Sequence, residues 1–448
     1  MKKQLFCGAA RVKITPPGDL MPRLRGLKGY RLAGVIDDLY VRAMVIGNER
    51  ERAALISFDL NTAPCTQEFL DDLAARAGIP VENLLVFATH THAVPVVSPD
   101  RNGHGETDPE VQQATAAYAA FVQEQARAAL GQALAELEPA RMGWAFGESA
   151  INVVRLQEYT YLDENGEPFP VCNLGCDPAA PAERTQFLLR VEALDGRPIA
   201  FLVNYAVHNV ATIWNDFDGT GAMGISSDIG GQISKLLEEH CGGVALWSSG
   251  AAGDLNPLML NEVILPDPAT GRTYESHPKG MEHAKTALKI MAQRNWADVR
   301  ALERAVRCTE DDGAAAAVLE WSVTPGCACI RHPGAPPEFV TGAGVREHTV
   351  RLQMVRIGGL TLCGVGAELY SSLGAAMLEE IPGPAILITH NAGDLCTSHY
   401  VLDDAAIARC DASRGFAMVP GYDEFRCCAG VMKDDLTAHV RHMVQSFS

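Results

Sequence analysis

The segment 84–92, LLVFATHTH, constrains the structure of this chain more than any other stretch. A short apolar run ends in His90 and His92, which are two positions apart. On a strand, side chains at that spacing point to the same face, so the sequence predicts that both imidazoles converge just beyond the strand end. Imidazole is the commonest metal ligand among side chains, and an open zinc site uses about three protein ligands and a water. The segment therefore favours a metal site at the end of a buried strand.

Strand-like and helix-like segments alternate along most of the chain, which predicts an α/β fold with mixed sheets and flanking helices. Turn signals at Gly47-Asn48 and Asp195-Gly196 predict two β-hairpins. Helical spacing of apolar residues predicts helices over residues 66–77, 108–137, 228–239, 281–295 and 431–446. We expect residues 1–448 to form a single catalytic domain, with 300–345 as an insertion or small subdomain.

Composition and net charge limit the classes of molecule that this chain is expected to bind. Hydrophobic residues make up 47% of the 448 residues, enough for a large core, and the net charge of −18 argues against nucleic acid or an anionic membrane surface as the main partner. No segment is long and apolar enough for a transmembrane helix or a signal peptide. The 13 cysteines are scattered through apolar segments, as reduced thiols are. We expect a cytoplasmic protein with a small-molecule substrate. Assembly as a homo-oligomer is compatible with this sequence, although no residue indicates it.

Polar residues that could carry chemistry follow several apolar strands. Beyond His90 and His92, they include His208, Glu368 and His390. Enzymes of the α/β class assemble their sites from the ends of several strands, so we expect these residues to belong to one site.

Taken in order, these segments resemble the zinc-dependent catalytic domain of the neutral ceramidase family. The similarity spans most of the chain, and the Thr-His-Thr-His element is its most specific part. The other segments that carry it are residues 11–17, 39–43, 57–60, 152–155, 204–208, 225–228 and 253–257. The resemblance implies a neutral-ceramidase-like α/β domain that binds one zinc ion per chain.

The resemblance also implies a ligand set of two histidines, a glutamate and a tyrosine. His90, His208 and Glu368 match the first three. The family's tyrosine lies shortly before the final helix, which favours Tyr422, with Tyr400 as the alternative.

Further roles follow from the same resemblance. His92 is expected to face the substrate and Arg155 to line the pocket, where both can donate to an oxygen that becomes negative during acyl transfer. His390 and Tyr422 are candidates for the acid that protonates the leaving nitrogen. Asp59, Asp228 and Asn256 are candidates for binding the substrate or for holding a histidine or a loop, although Asp228 is equally well placed to cap a helix.

Two features depart from the family pattern. Asn256 stands where the ceramidases carry a serine held to be important for activity, and asparagine cannot be a covalent nucleophile. A zinc-activated water is then the expected nucleophile. The chain ends at Ser448, too early for the family's C-terminal β-sandwich domain, so we expect a soluble substrate rather than ceramide.

These observations predict a zinc-dependent hydrolase that cleaves an amide (N-acyl) bond of a soluble small molecule. A zinc-dependent esterase or lactonase, or a non-hydrolytic metalloenzyme acting on a sugar or hydroxy acid, is the alternative, because a fold does not fix a reaction. A non-catalytic metal-binding homologue is a third interpretation, but retention of all the ligand types argues against it.

Overall fold

The computed structural model describes residues 4–98, 106–260, 263–267, 272–276, 280–310, 314–324, 326–330, 338–340, 347–396, 399–413 and 419–447. The strands, in chain order, are β1 (Phe6–Lys13), β2 (Leu32–Val35), β3 (Tyr40–Gly47), β4 (Arg52–Phe58), β5 (Leu84–Ala88), β6 (Glu138–Glu148), β7 (Asn152–Leu162), β8 (Pro168–Asp177), β9 (Thr185–Ala193), β10 (Pro198–Tyr205), β11 (Met223–Ile225), β12 (Val244–Ser249), β13 (Leu255–Pro257), β14 (Val263–Asp267), β15 (Arg272–Ser276), β16 (Ala315–Thr324), β17 (Ala328–Ile330), β18 (Glu338–Val340), β19 (His348–Ile357), β20 (Leu360–Val365), β21 (Glu368–Leu369), β22 (Ala385–Ile388) and β23 (Tyr400–Val401). The helices are α1 (Gln67–Ala77), α2 (Pro109–Ala135), α3 (Asp228–Cys241), α4 (Met281–Ala305), α5 (Ser371–Glu379), α6 (Asp404–Ala412), α7 (Tyr422–Phe425) and α8 (Met432–Gln445).

The largest sheet has the strand order β12-β10-β9-β6-β1-β3-β4-β5. Both predicted hairpins are confirmed: β3 and β4 pair antiparallel from Gly47 onward, and β9 and β10 pair antiparallel around the turn at Gly196. The pairs β4–β5 and β10–β12 are parallel, so the sheet is mixed. The predicted α/β fold with mixed sheets and flanking helices is confirmed.

A second sheet, ordered β16-β19-β20-β22, packs face to face on the first. One buried apolar cluster joins them, with Leu85 and Leu202 from the large sheet and Val355 and Leu362 from the small one. Full burial of each such side chain contributes roughly 1.5–3 kcal/mol. Gln353 adds a polar link, since its Nε2 donates to the carbonyl of Leu84 at 2.9 Å. The two sheets therefore hold the start of β5 rigidly, and β5 leads to the histidines.

The helices flank these sheets and agree with the apolar periodicity. Thr66 caps α1 by accepting from the amide of Phe69, and Gly78 ends it in the left-handed conformation at φ +66°. Helix α2 lies so close to β1 that a Cβ on Gly8 would stand 2.1 Å from the carbonyl oxygen of Ala133. Helix α4 continues to Ala305, ten residues beyond its predicted end. None of the helices in the described part of the chain combines the length and apolar character needed to cross a bilayer.

Residues 300–345 divide between elements. They begin in the last turn of α4 and continue into β16, which pairs along its whole length with β19 and so forms part of the second sheet. Strands β17 and β18 form a separate small sheet. Residues 311–313, 325, 331–337 and 341–345 lie outside the described residues. The insertion or subdomain therefore stays a prediction, as does the single-domain organisation.

Candidate metal centre

The sequence prediction placed His90 and His92 on one face of a strand, but the strand ends before it reaches them. Strand β5 stops at Ala88, and His90 adopts a left-handed backbone at φ +62°. That conformation is uncommon for a residue with a Cβ and costs of order 1–3 kcal/mol. The turn nevertheless brings the Nε2 atoms of His90 and His92 within 3.0 Å of each other. The predicted convergence occurs, but a strained turn produces it rather than strand alternation.

Side chains from other strand ends meet the same point. Glu368 Oε2 lies 3.1 Å from His90 Nε2 and 3.2 Å from His208 Nε2. The hydroxyl of Tyr400 lies 3.2 Å from His208 Nε2. Glu368 and Tyr400 face each other in the parallel pair of β21 and β23, which explains why both reach the cluster. All of these side chains are buried or nearly so, with His208 only 1% exposed.

The other ring nitrogen of each of two histidines is occupied by the backbone. His90 Nδ1 donates to the carbonyl of Asn61 at 3.0 Å, and His208 Nδ1 donates to the carbonyl of Leu255 at 3.0 Å. A carbonyl oxygen can only accept, so each Nδ1 carries the proton and each Nε2 presents its lone pair to the cluster. This arrangement orients imidazoles as metal ligands in proteins.

Electrostatics in the cluster favours a neutral histidine beside a charged carboxylate. Burial lowers the pKa of His208 to about 4, with a further contribution from the charge of Arg155. Burial alone would raise the pKa of Glu368, but positive charge on His90 and protons that His208 and His90 share with the carboxylate hold that pKa well below its usual value. When both histidines carry their proton on Nδ1, the two Nε2 atoms present lone pairs to the carboxylate at about 3 Å, and a bound cation then takes the place of those protons. The donor set fits a divalent metal ion, with which protons would compete.

The two candidate tyrosines have different positions. Tyr400 reaches the histidines, whereas the hydroxyl of Tyr422 donates to Asp411 Oδ1 at 2.7 Å. Tyr422 opens the short helix α7, where its ring contacts Phe339 edge to face. The expectation that Tyr422 ligates the metal or acts as the acid is therefore corrected in favour of its alternative, because its hydroxyl is engaged away from the cluster.

Arg155 lies beside the cluster, as expected for a pocket residue. Its Nε and Nη2 donate to the carbonyl of Gly253 at 3.0 and 2.6 Å, and its Nη1 lies 3.4 Å from Asn256 Oδ1. The guanidinium carbon is 5.2 Å from the centre of the Tyr400 ring. Asn256 thus helps to orient Arg155.

His92 is buried against the other rings. Burial, followed by the charges of His90 and His208, lowers its pKa well below the usual value, so the ring is neutral at pH 7. Its Nδ1 is buried and finds no hydrogen-bond partner among the residues that the structure describes.

Asp59 does not touch a histidine of the cluster within the described ranges. Its Oδ2 accepts from Arg42 Nη1 at 2.8 Å and from the amide of Tyr40 at 3.0 Å. Arg42 also donates through Nε to Glu238 Oε1 at 3.0 Å. The expectation that Asp59 supports the site is corrected: it belongs to a buried ion-pair group, Arg42–Asp59–Glu238, which we call the brace.

Asp228 holds a loop rather than capping α3. Its carboxylate accepts from the amides of Ala211 and Thr212 at 3.1 and 2.8 Å and from the Thr212 hydroxyl at 2.6 Å. These residues follow His208 directly along the chain. The backbone of Asp228 is left-handed at φ +54°, and burial raises the pKa of its carboxyl.

One residue that the sequence reasoning missed connects both histidine segments. Asn209 Nδ2 donates to the carbonyl of Thr89 at 2.5 Å, and the amide of His92 donates to the carbonyl of Asn209 at 3.3 Å. The side-chain oxygen of Asn209 accepts from the amide of Gly230 at 2.9 Å. In the sequence, only its position directly after His208 could have pointed to Asn209 as a residue of the site.

A small cavity opens on one side of the cluster. It is about 30 Å³, room for an ion or a water, and its lining includes Asn61, His90, Glu368, His390 and His399. The ring of His390 stacks on that of His90 with 3.8 Å between centroids and 13° between planes.

Comparison with known proteins identifies the fold. Neither a protein-family profile nor a curated protein sequence matches this chain. A solved structure of neutral ceramidase from Pseudomonas aeruginosa matches 99% of this chain and 75% of its own, with a TM-score of 0.62 and 16% identity. A second, of a ceramidase complexed with C2, has a TM-score of 0.64 at the same identity and coverage. The chain therefore has a neutral-ceramidase-like fold.

Proposed function

We propose that this chain is a zinc-dependent hydrolase that cleaves an amide (N-acyl) bond of a soluble small molecule. The observation that carries the proposal is the convergence of His90 Nε2, His208 Nε2 and Glu368 Oε2 in a buried cluster whose donor atoms suit a bound cation. The structural neighbours are ceramidases, which are amide hydrolases. That likeness supports amide cleavage over other reactions that the same cluster could host.

The donor types support zinc. Two imidazole nitrogens, a carboxylate oxygen and the hydroxyl of Tyr400 form a mixed nitrogen and oxygen set, which suits zinc better than magnesium or calcium. A zinc ion held there would polarise a substrate carbonyl and make a water available as the nucleophile near neutral pH. Asn256 lies on β13 next to Arg155, and its side-chain amide is not a nucleophile.

The neighbouring residues supply charge and proton transfer. Arg155 keeps its charge, because interactions with Tyr400, Tyr370 and Glu368 raise its pKa despite burial. Its guanidinium, fixed by the carbonyl of Gly253, can stabilise an oxygen that becomes negative as the amide is attacked. His92, neutral at pH 7, can donate to the same oxygen, and the proton that the attacking water loses goes to the leaving nitrogen, which departs as the amine.

The test combines metal content with a substrate panel. We expect the purified protein to retain at least one tightly bound zinc ion per chain and His208→Ala to lose it. His240→Ala is the matched control, since His240 lies exposed near the end of α3. The zinc-loaded protein should hydrolyse members of a panel of N-acyl amides, and His208→Ala should not.

Two outcomes would overturn the proposal in different ways. Absence of bound metal after zinc is supplied would remove the metal-dependent mechanism. Turnover of esters or lactones without any turnover of amides would assign the cluster to a different hydrolytic reaction.

A further inference from the structure

We propose that the centre binds a second metal ion, held by His390 together with Glu368 on the cavity side of the cluster. This inference rests on the proposed function, because Glu368 would serve both ions. It adds a site to the one-zinc arrangement expected from the sequence.

Ring orientation separates His390 from the other histidines. A metal ion lies in the plane of the imidazole that binds it. The ring planes of His90 and His92 cross at 86°, those of His90 and His208 at 70°, and those of His92 and His208 at 64°. Crossing planes have points in common, so one ion can lie in the plane of each ring.

His390 cannot serve that ion. Its ring is nearly parallel to that of His90, at 13°, with 3.8 Å between centroids. An ion in the plane of one ring lies well outside the plane of the other, so the two rings bind different ions. The stacking distance resembles the spacing of about 3.5–4 Å between ions in two-metal sites.

The donor atoms of His390 are close enough to share a carboxylate. One ligand atom each from His90, Glu368 and His390 lie within 4.8 Å of one another, as do one each from His90, His92 and His208. The two groups share His90, whose Nε2 belongs to the first ion, so Glu368 and His390 remain as the side-chain ligands of the second. Glu368 contributes Oε2 to the contacts with His90 and His208, and a carboxylate can bridge two ions through its two oxygens.

The cavity lies where the second ion would be. Its lining includes His390, Glu368 and His399, with the polar side chains Asn61 and Thr62, whereas His208, Arg155 and Tyr400 are not part of it. A volume of about 30 Å³ accommodates an ion with little else. This volume is therefore next to the group of His90, Glu368 and His390.

The backbone holds His390 in an unfavourable conformation. Its φ is +58°, and the neighbouring Thr389 and Asn391 fix the segment on both sides. The Thr389 hydroxyl donates to the carbonyl of Gly250 at 3.0 Å, and Asn391 Nδ2 donates to Gln353 Oε1 at 3.1 Å. Strained residues that their surroundings fix in this way concentrate at ligand-binding sites.

Metal titration of the metal-free protein tests the inference. Equilibrium dialysis against zinc, followed by metal analysis, should give two ions per chain, with the second bound more weakly because fewer side chains hold it. Manganese should give an electron paramagnetic resonance spectrum with the splitting of a coupled pair. His390→Asn removes the imidazole but tolerates the left-handed backbone. It should bind one ion, with affinity for the second reduced at least about 100-fold.

The outcomes distinguish this inference from the proposed function. If the unaltered protein binds no ion, both the second ion site and the proposed zinc-dependent function are overturned. One ion per chain at saturating zinc and manganese would overturn the second position alone. Two ions in both the unaltered protein and His390→Asn would also overturn it, since the second ion would then lie elsewhere. Circular dichroism of His390→Asn and the control His240→Ala verifies that each is folded.

Discussion

The metal centre and the brace are both buried groups of ionisable side chains, yet their contacts differ in kind. In the brace, Arg42 donates to Asp59 at 2.8 Å and to Glu238 at 3.0 Å. The guanidinium lies between two carboxylates, and their charges raise its pKa despite burial. In the centre, by contrast, the carboxylate of Glu368 faces the lone pairs of two imidazoles. The brace contains its own cation, whereas the candidate centre presents ligand atoms that could hold one.

This difference separates structural from functional clusters better than burial does. Asp59 and Glu368 are both buried acids at strand ends, and residue type alone does not distinguish them. What distinguishes them is whether the facing atoms are donors or acceptors. A buried ion pair is destabilised when one partner is removed, whereas a ligand set loses its metal. The following predictions test that separation.

The largest expected effect is on the brace. Arg42→Met should lower the free energy of unfolding by about 3–5 kcal/mol, because Asp59 would remain buried without a counter-charge and Glu238 would keep only its pair with the half-exposed Arg11. Urea denaturation of the metal-free protein measures it. Arg76→Met, which removes an exposed pair with Asp72, is the control and should change stability by less than about 1 kcal/mol. Zinc per folded chain should be unchanged in Arg42→Met, and its loss would contradict the separation.

Acid should destabilise the metal-free protein through the centre. The unfolded chain protonates His208 as the pH falls below 6.5, whereas the folded protein resists protonation until about pH 4. Stability is therefore lost as the pH falls through that window, by up to about 3 kcal/mol. The pKa of Glu368 is also lowered, so the stability that its charged carboxylate contributes is lost only at still lower pH, below 4.5.

Urea denaturation at pH 7, 5.5 and 4 provides the measurement. His208→Gln should show a shallower decline than the unaltered protein, with the remainder due to His92, whose pKa is also lowered. Equal slopes in the two proteins would mean that His208 does not hold a depressed pKa.

Glu368→Gln should affect mainly zinc binding, whereas Arg42→Met should affect mainly stability. Loss of the carboxylate charge should weaken zinc binding at least about 100-fold, as measured by competition with a chelating dye. The metal-free protein should lose less stability than Arg42→Met does, because the charge of Glu368 is stabilised by protons shared with His90 and His208 rather than by a fixed guanidinium. A loss of several kcal/mol with zinc affinity retained would show that the centre behaves as a second brace.

The smallest expected effects are on zinc binding and stability when either candidate tyrosine is replaced by phenylalanine. Tyr400→Phe should weaken zinc binding about tenfold, or about 1.4 kcal/mol. Tyr422→Phe should leave zinc binding unchanged and cost about 0.5–1.5 kcal/mol of stability through its lost hydrogen bond to Asp411. The reverse pattern would restore Tyr422 as the ligand.

Sequence periodicity predicted most of the fold, because long strands and helices repeat a local pattern. The hairpins at Gly47 and Gly196 and the helices α1 and α2 follow from such patterns. Strand ends that carry His208 and Glu368 were found for the same reason.

The remainder depends on contacts that leave no periodic signal. Tyr400 reaches the cluster through the pairing of two-residue strands, which are too short to show alternation. Asp59 looked like a site residue because its partner is Arg42 on the neighbouring strand β3, and the other carboxylate on Arg42, that of Glu238, lies on a helix far along the chain. The stacking of His390 on His90 depends on left-handed turns at both residues, which sequence preferences would assign to glycine or asparagine.

Those left-handed turns have a consequence for how the chain can evolve. Glycine at position 390 would relieve backbone strain, and the half-buried imidazole there would leave little cavity, so this substitution should stabilise the protein in the absence of metal. It would also delete an imidazole from the candidate centre. A library selected for heat resistance alone should therefore accumulate glycine at position 390, whereas selection for the proposed turnover should keep the costlier histidine.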